Sequence, residues 1–467
     1  MRRTKIIATI GPATERPEVL AALIDRGMNV ARLNSSHADI PELSARLRTV
    51  RETASLAGEH VAVLLDLAGP KLRVGEVASG TELQSGDEFR LVPGACVGDH
   101  TRACVTYGGL ADDVVAGDRI MLDDGRLELQ VTGVDHGSVI TRVEVGGPLS
   151  SHKGVNVPGT TLGVDAITER DRRILAWGLE AGVDAVAQSF VRGPEDVKAL
   201  RSLMGDRVVP IVAKIEKHEA IAQLEEIVAQ ADAVMVARGD LGVETSPERV
   251  PVLQRSIIQM CRGAGVPVIV ATQMLESMTS SPRPTRAEAS DVANAIFDLV
   301  DAVMLSAETA VGDYPEHAVG TMARIALTAE ESIAHVTWDR ASAGDTEDVT
   351  QAVSAGVCDL AQDLRLAAIV TATQSGATAR AVARYRPPVP IIAVTADEGV
   401  ARSMQWVWGV RPLVVPLPDD TDEMIDSISR EIVAAGFAAS GQRVAFTAGR
   451  GSHVPGSTDS ILVRALP

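Results

Sequence analysis

Short apolar runs, each ending in polar residues, recur through the first 310 positions of the chain. They are KIIATI (5–10), MNVARLN (28–34), VAVLLD (61–66), VDAVAQSF (183–190), VVPIVAK (208–214), ADAVMVAR (231–238), VPVIVAT (266–272) and VDAVMLSAE (300–308). Each is rich in Val, Ile, Ala or Leu without clean alternation, the pattern of strands buried on both faces of a parallel sheet. Amphipathic stretches with helix start and stop signals follow them: 17–27, 38–58, 168–182, 194–205, 218–230, 247–265, 285–300 and 315–336. Thr168 has the place of an N-cap, and Gly27 and Gly58 close their helices. Eight strands alternating with eight helices predict a (β/α)₈ TIM barrel.

The alternation breaks between about residues 68 and 166. There TELQSGDEFRLV, DRIMLDDGRLELQV and GSVITRVEV read as short strands separated by turns, predicting an inserted small β-barrel domain. Its natural place is as a lid over the C-terminal face of the barrel. After the polar stretch ASAGDTED (341–348) the strands AAIVTAT, PIIAVTA, RPLVVPL and RVAFTAG alternate with helical segments, and ILVRAL closes the chain. The expected domains are a TIM barrel (1–67 and 167–338), a lid (68–166) and a C-terminal open α/β domain of regulatory type (339–467).

Composition narrows the class. At 467 residues the chain is too long for one core. The formal charge of −18 speaks against general nucleic-acid binding. No apolar run approaches the roughly 18 residues needed to span a bilayer, and the N-terminal run is too short for a secretory signal. Cys96, Cys104, Cys261 and Cys358 are scattered without a CxxC pair. They predict neither a disulfide framework nor a thiolate metal site, and fit a reducing cytoplasm.

In a barrel of this kind the C-terminal strand ends share one rim. The expected strand-end residues are Arg32, Asn34, Ser36 and His37 after strand two; Asp66 and then Arg73 after strand three; Lys214 and Glu216 after strand five. Strand six contributes Arg238, Gly239 and Asp240, strand seven Thr272 and Gln273, and strand eight Ser306 and Glu308. Glu216 and Asp240 are hard oxygen ligands suited to Mg²⁺ or Mn²⁺, whose octahedron water and substrate would complete. Arg32, Arg73 and Lys214 suit a phosphate. Together they predict phosphoryl transfer. Alone, a Lys–Glu pair at a strand end is more often a structural salt bridge, Asn34 and Ser36 shape a turn, and His37 reads as structural. A metal-dependent lyase of the same barrel class and a non-catalytic metabolite sensor are the competing readings.

These residues lie in motifs that resemble the pyruvate kinase family: RRTKIIATIGPAT (2–14), ARLNSSH (31–37), LLDLAGPKLRVG (64–75), KGVNVPG (153–159), AKIEKHEA (213–220), MVARGDLGVE (235–244), ATQMLESM (271–278), PTRAEASDVANAI (284–296) and MLSAETAVGDYP (304–315). The resemblance spans essentially the whole chain. It implies transfer of the phosphoryl group of phosphoenolpyruvate to ADP, giving pyruvate and ATP. Lys214 would stabilise the transferring group, and Glu216 and Asp240 would hold Mg²⁺. Gly239, Asp240 and Thr272 would contact substrate with Arg32 beside the phosphate, while Asn34, Arg73 and Lys153 would face the nucleotide. Thr272 with a water is the candidate proton relay to the enolate.

The resemblance also implies K⁺ ligands at Asn34, Ser36, Asp66 and the Leu67 carbonyl. Here Leu67 stands where Thr is usual, Ala68 where Lys is usual, and Lys71 where potassium-dependent members carry Glu. The expectation is therefore activity without K⁺, with the Lys71 ammonium in its stead. In the last domain Thr373, Ser375, Gly376 and Thr378 form a hydroxyl-rich turn between strand and helix that offers backbone N–H groups to an anion. This turn and GRGSHVPGSTDS (449–460) resemble the family's loops for a phosphorylated effector, and the family resemblance implies a homotetramer.

Overall fold

The computed structural model describes residues 2–207, 209–333, 348–418, 420–448 and 458–467. Eight parallel strands close into a barrel: Lys5–Thr9, Val30–Asn34, Ala62–Leu67, Ala185–Gln188, Ile211–Ile215, Ala233–Ala237, Val268–Ala271 and Ala302–Leu305. Strand one pairs with both strand two and strand eight, so no edge is left unpaired. Each strand buries both faces. Ile7, Leu64, Met235, Ile269 and Met304 belong to the cluster that fills the interior, while Ile6, Val63, Val186, Val234 and Val303 pack outward with the helices. This is why the sequence shows apolar runs rather than alternation.

Local chemistry sets the helix ends. Thr168 and Asp171 form a capping box at the start of Glu169–Ala181, which ends at Gly182 with φ 77°. Asp39 with Glu42, and Thr285 with Glu288, do the same for Ile40–Ala57 and Arg286–Phe297. Two expectations change in detail. The helix expected over 218–230 is divided at Gln223 into His218–Ala222 and Leu224–Gln230. Strand six stops at Ala237, and Arg238, Gly239 and Asp240, expected to end it, instead open a helix, Arg238–Glu244. Two glycines gave that helix no propensity signal.

The inserted domain is built on a six-stranded sheet around its own core of Phe89, Leu91, Ile120, Leu129 and Val139. Arg73 bridges Gly154 at one edge, and Val74 bridges Val105 at the other, linking the two edges. The cysteine expectation does not hold for one pair. Cys96 and Cys104 form a disulfide with Cα atoms 5.6 Å apart. A tight turn, with Asp99 donating its N–H to the Arg102 carbonyl, folds the intervening residues back so that two unremarkable positions meet. Cys261 and Cys358 are free and buried.

The C-terminal domain carries a five-stranded sheet in the order Val410–Val414, Ile391–Thr395, Ala368–Ala372, Arg443–Ala448, Ser460–Ala465; only the last strand is antiparallel. It packs under the N-terminal face of the barrel, opposite the lid. Asp301, at the start of strand eight, accepts from Arg386 (2.7 and 3.1 Å), from Trp408 N (3.1 Å) and from Val268 N (3.0 Å). Asp184 binds Arg51 and Arg402, each at 2.8 Å. Asp301→Ala would leave the buried Arg386 guanidinium without its carboxylate. It should destabilise the protein by about 3–5 kcal/mol, read as a lowered midpoint in urea unfolding; an unchanged midpoint would contradict the assignment.

Candidate active site

Because all eight strands run in parallel, their polar tips meet on the lid side of the barrel. At its centre lies a buried cluster of four charges. Arg32 Nε donates to Asp66 Oδ2 at 2.7 Å, and its Nη1 to Thr9 Oγ1 at 3.0 Å. Lys214 Nζ donates to Ser189 Oγ at 2.6 Å and lies 2.9 Å from Glu216 Oε1 and 3.3 Å from Asp66 Oδ1. Phe190 N donates to the other Glu216 oxygen at 2.8 Å. None of the four side chains is more than about a tenth exposed.

Their mutual arrangement decides their protonation. Burial alone would push the Lys214 ammonium down, but Asp66 and Glu216 outweigh it and hold Lys214 above its ordinary value. Burial pushes Asp66 up, and Lys214 and Arg32 more than reverse this. Glu216 remains raised, because burial and the nearby Asp240 carboxylate together outweigh Lys214. Lys214 is thus a fixed cation, and Glu216 and Asp240 are mutually repelling acids.

The lid side of the mouth is basic. His37 is held below its usual value by burial and then by Arg73, Arg32, Lys71 and Arg170. That set joins lid residues to barrel residues around one opening. Arg73 Nη1 donates to the His152 carbonyl at 2.9 Å, and Lys153 Nζ lies 2.8 Å from Asp123 Oδ1. Lys71 Nζ lies 3.1 Å from Asp240 Oδ1, so its partner is the expected metal ligand rather than Asp66 or Asn34. Asn34 Oδ1 accepts from Ser36 N at 3.0 Å, and the Leu67 carbonyl accepts from Ser189 Oγ at 2.7 Å. Far from this rim, Gly376 has φ 76° and donates its N–H to Thr373 Oγ1 at 2.9 Å; the Ser375 carbonyl accepts from Arg380 at 3.1 Å, and Thr378 Oγ1 lies 2.8 Å from Thr458 Oγ1. Residues 449–457 of the expected second effector loop lie outside the described residues.

Thr272 and Gln273 take φ of +67° and +53°. A β-branched residue there is strained. Arg238 supplies the restraint: Nε and Nη2 donate to the Thr272 carbonyl at 3.1 and 2.6 Å, Nη2 to the Gln273 carbonyl at 3.0 Å, and Nη1 to Asp291 at 2.6 Å. Gly239 N donates to Thr272 Oγ1 at 2.9 Å. Arg238 therefore secures the strand-seven turn, while Asp240 faces the mouth. Strands one and four, passed over in the sequence, contribute Thr9, Ser189 and Phe190, the last with φ +56°. The polar Ser189 directly after the buried AVAQ is the available signal. Arg238→Met would strip both turn carbonyls and Asp291 of their donor. A loss of about 3 kcal/mol in chemical unfolding is expected, and a loss below about 1 kcal/mol would contradict this role.

Comparison with known proteins agrees with this geometry. A family model described as pyruvate kinase, barrel domain, matches residues 1–319, and one described as pyruvate kinase, alpha/beta domain, matches residues 351–464. The chain is 46% identical over 473 residues to a pyruvate kinase of Geobacillus stearothermophilus, covering all of this chain and 80% of that one. It is 44% identical over 475 residues to a pyruvate kinase of Mycobacterium tuberculosis, covering 100% and 98%. A crystal structure of a pyruvate kinase from Cryptosporidium parvum superposes with a TM-score of 0.93 at 33% identity, covering 100% of this chain and 96% of that one. Motifs, barrel, lid and C-terminal sheet all converge on one conclusion: this chain belongs to the pyruvate kinase family, and is a phosphotransferase.

Proposed function

We propose that the rim transfers the phosphoryl group of phosphoenolpyruvate to ADP, with Lys214 as the central cation and Glu216 and Asp240 as the protein ligands of Mg²⁺ or Mn²⁺. The observation that carries this is the buried Lys214 ammonium, kept charged by Asp66 and Glu216 at the centre of the strand ends. The carboxylate pair fits a divalent ion: Asp240 raises the pKa of Glu216, a repulsion that a cation between them would relieve. Bound there, the ion would offset negative charge on the transferring group and on the acid's oxygens.

The chain's own groups then divide the remaining work. Lys214 and Arg32 meet phosphoryl oxygens, and the fixed ion pairs around them remove the need for reorganisation during transfer. Gly239 presents backbone where a Cβ would meet nothing nearer than Thr272 Oγ1 at 3.7 Å, so its missing side chain is explained better by a ligand than by packing. Thr272, hydrogen-bonded to Gly239 N, is the proposed relay that delivers a proton to the enolate through a water. Asn34, Arg73 and Lys153 are assigned to the nucleotide, Lys153 exchanging Asp123 for phosphate as the lid closes.

Turnover without K⁺ is part of this reading. Asp66 already carries Arg32 and Lys214, the Leu67 carbonyl is engaged by Ser189, and Lys71 brings a covalently attached cation to Asp240. We assign the turn at Thr373, Ser375, Gly376 and Thr378 to a phosphorylated effector, and the assembly to a homotetramer. Val252, Met260 and Phe297 expose apolar surface on two barrel helices linked by Arg255 and Asp298. The family's glycolytic reaction is the basis for placing the protein in the cytoplasm. Among the described residues no helix is long and apolar enough to cross a membrane.

Two experiments test the chemistry. Lys214→Met should lower ADP-dependent pyruvate formation by at least about 10³-fold while phosphoenolpyruvate binding stays measurable; unchanged turnover removes Lys214 from the mechanism. In buffer free of Na⁺ and K⁺, with a tetraalkylammonium salt, the rate should stay within about tenfold, or 1.4 kcal/mol, of that with K⁺. A larger fall would overturn the role given to Lys71.

A further inference from the structure

A second group of ligand-type side chains lies outside the charge cluster just described. His218 opens the short helix after strand five, Glu219 follows it, and Glu244 ends the helix after strand six. One ligand atom from each falls within 4.8 Å of the others. The Glu244 side chain is fully buried. Its Oε1 accepts from Lys217 Nζ at 2.8 Å and from Asn156 Nδ2 at 3.0 Å. Its Oε2 has no hydrogen-bond partner and lies 3.7 Å from His218 Nδ1. Both oxygens of Glu219 are likewise buried without a hydrogen bond. His218 Nδ1 lies 2.9 Å from Glu219 Oε2, yet it too makes no hydrogen bond.

A buried carboxylate oxygen without a donor is strongly disfavoured. Here Glu219 Oε2 and Glu244 Oε2 lie 2.9 and 3.7 Å from one imidazole nitrogen, His218 Nδ1, and the Lys217 ammonium is committed to the other oxygen of Glu244. With a neutral imidazole, as a metal ligand requires, two carboxylates against one ammonium leave a net negative charge. We infer that His218, Glu219 and Glu244 form a second divalent-cation site, selective for a transition-metal ion of the Zn²⁺ or Co²⁺ kind.

The donor set decides the class. One imidazole and two carboxylates suit Zn²⁺ or Co²⁺, whereas Mg²⁺ prefers oxygen alone in a near-ideal octahedron. Bonds of about 2.0–2.2 Å at tetrahedral angles would part His218 Nδ1 slightly from Glu219 Oε2, now 2.9 Å away, and draw Glu244 Oε2 in from 3.7 Å. The site is separate from the substrate-side pair, since Glu216 faces Lys214 and Phe190, and Asp240 faces Lys71. It nevertheless reaches the lid. Asn156 belongs to the lid strand Val155–Asn156 and rests on the same carboxylate, so an ion on Oε2 would fix the residue on which that strand leans.

The test uses the full chain, stripped with EDTA and returned to millimolar Mg²⁺ so that the substrate-side ligands are occupied. Co²⁺ titrated into this protein should give d–d absorption saturating at one ion per chain, and Zn²⁺ should displace it. His218→Gln and Glu219→Gln, each with wild-type circular dichroism and melting temperature, should weaken Co²⁺ binding at least tenfold. Glu216→Gln should leave the absorption in place. The inference is overturned if no Co²⁺ binds beside saturating Mg²⁺, if His218→Gln binds as tightly as the wild type, or if Glu216→Gln abolishes the signal.

Discussion

Two buried cations and two buried carboxylates, Arg32 and Lys214 with Asp66 and Glu216, are the constraint around which the barrel mouth is organised. None of the four is tolerable alone at that depth. Together they neutralise one another, and Thr9, Ser189 and Phe190 N supply further hydrogen bonds to Arg32, Lys214 and Glu216. The cluster ties strands one to five by their tips. It also fixes the sign of the charge at each point before any ligand arrives, which is what an electrostatic catalyst requires.

The neighbouring strand ends are held by a different device. The turn at Thr272 and Gln273 is strained, and the guanidinium of Arg238 spans both carbonyls while anchored on Asp291. Arg238 and Asp240 are two residues apart but face opposite duties: one braces the turn from behind, the other opens onto the mouth. Lys71 adds a third cation from the lid side by meeting Asp240. Lid, strand six and strand seven are thereby coupled through one short helix, whose last residue, Glu244, also carries Asn156 of the lid.

Several features were readable in advance because they are local or periodic. The eight apolar runs place the strands within a few residues, since both-face burial leaves an uninterrupted signature. Thr168 and the glycines after the helices mark element ends because capping is a short-range interaction. The polar residue following each run identifies Arg32, Asp66, Lys214, Glu216 and Asp240, because strand order in a barrel converts sequence position into position on a rim. What escaped was non-local. Ser189 matters only because Lys214 and the Leu67 carbonyl meet it, and Cys96 and Cys104 only because a tight turn brings them together. Arg238, Gly239 and Asp240 read as the end of a strand, yet in the folded chain they open a helix.

The sequence by itself determined the alternation of strand and helix, the interruption after strand three, the change of pattern before the last domain, and the motifs that mark the family. These follow from hydrophobic period and short-range backbone chemistry, which each segment carries within itself. Only the tertiary structure decided which charge faces which. It paired Lys71 with Asp240, gave Arg238 to a backbone turn, left Glu219 and one oxygen of Glu244 without donors beside His218, and set Asp301 under Arg386. Those outcomes depend on distances between atoms far apart in the chain, and electrostatics in a buried site varies too steeply with distance and burial for residue order to specify it.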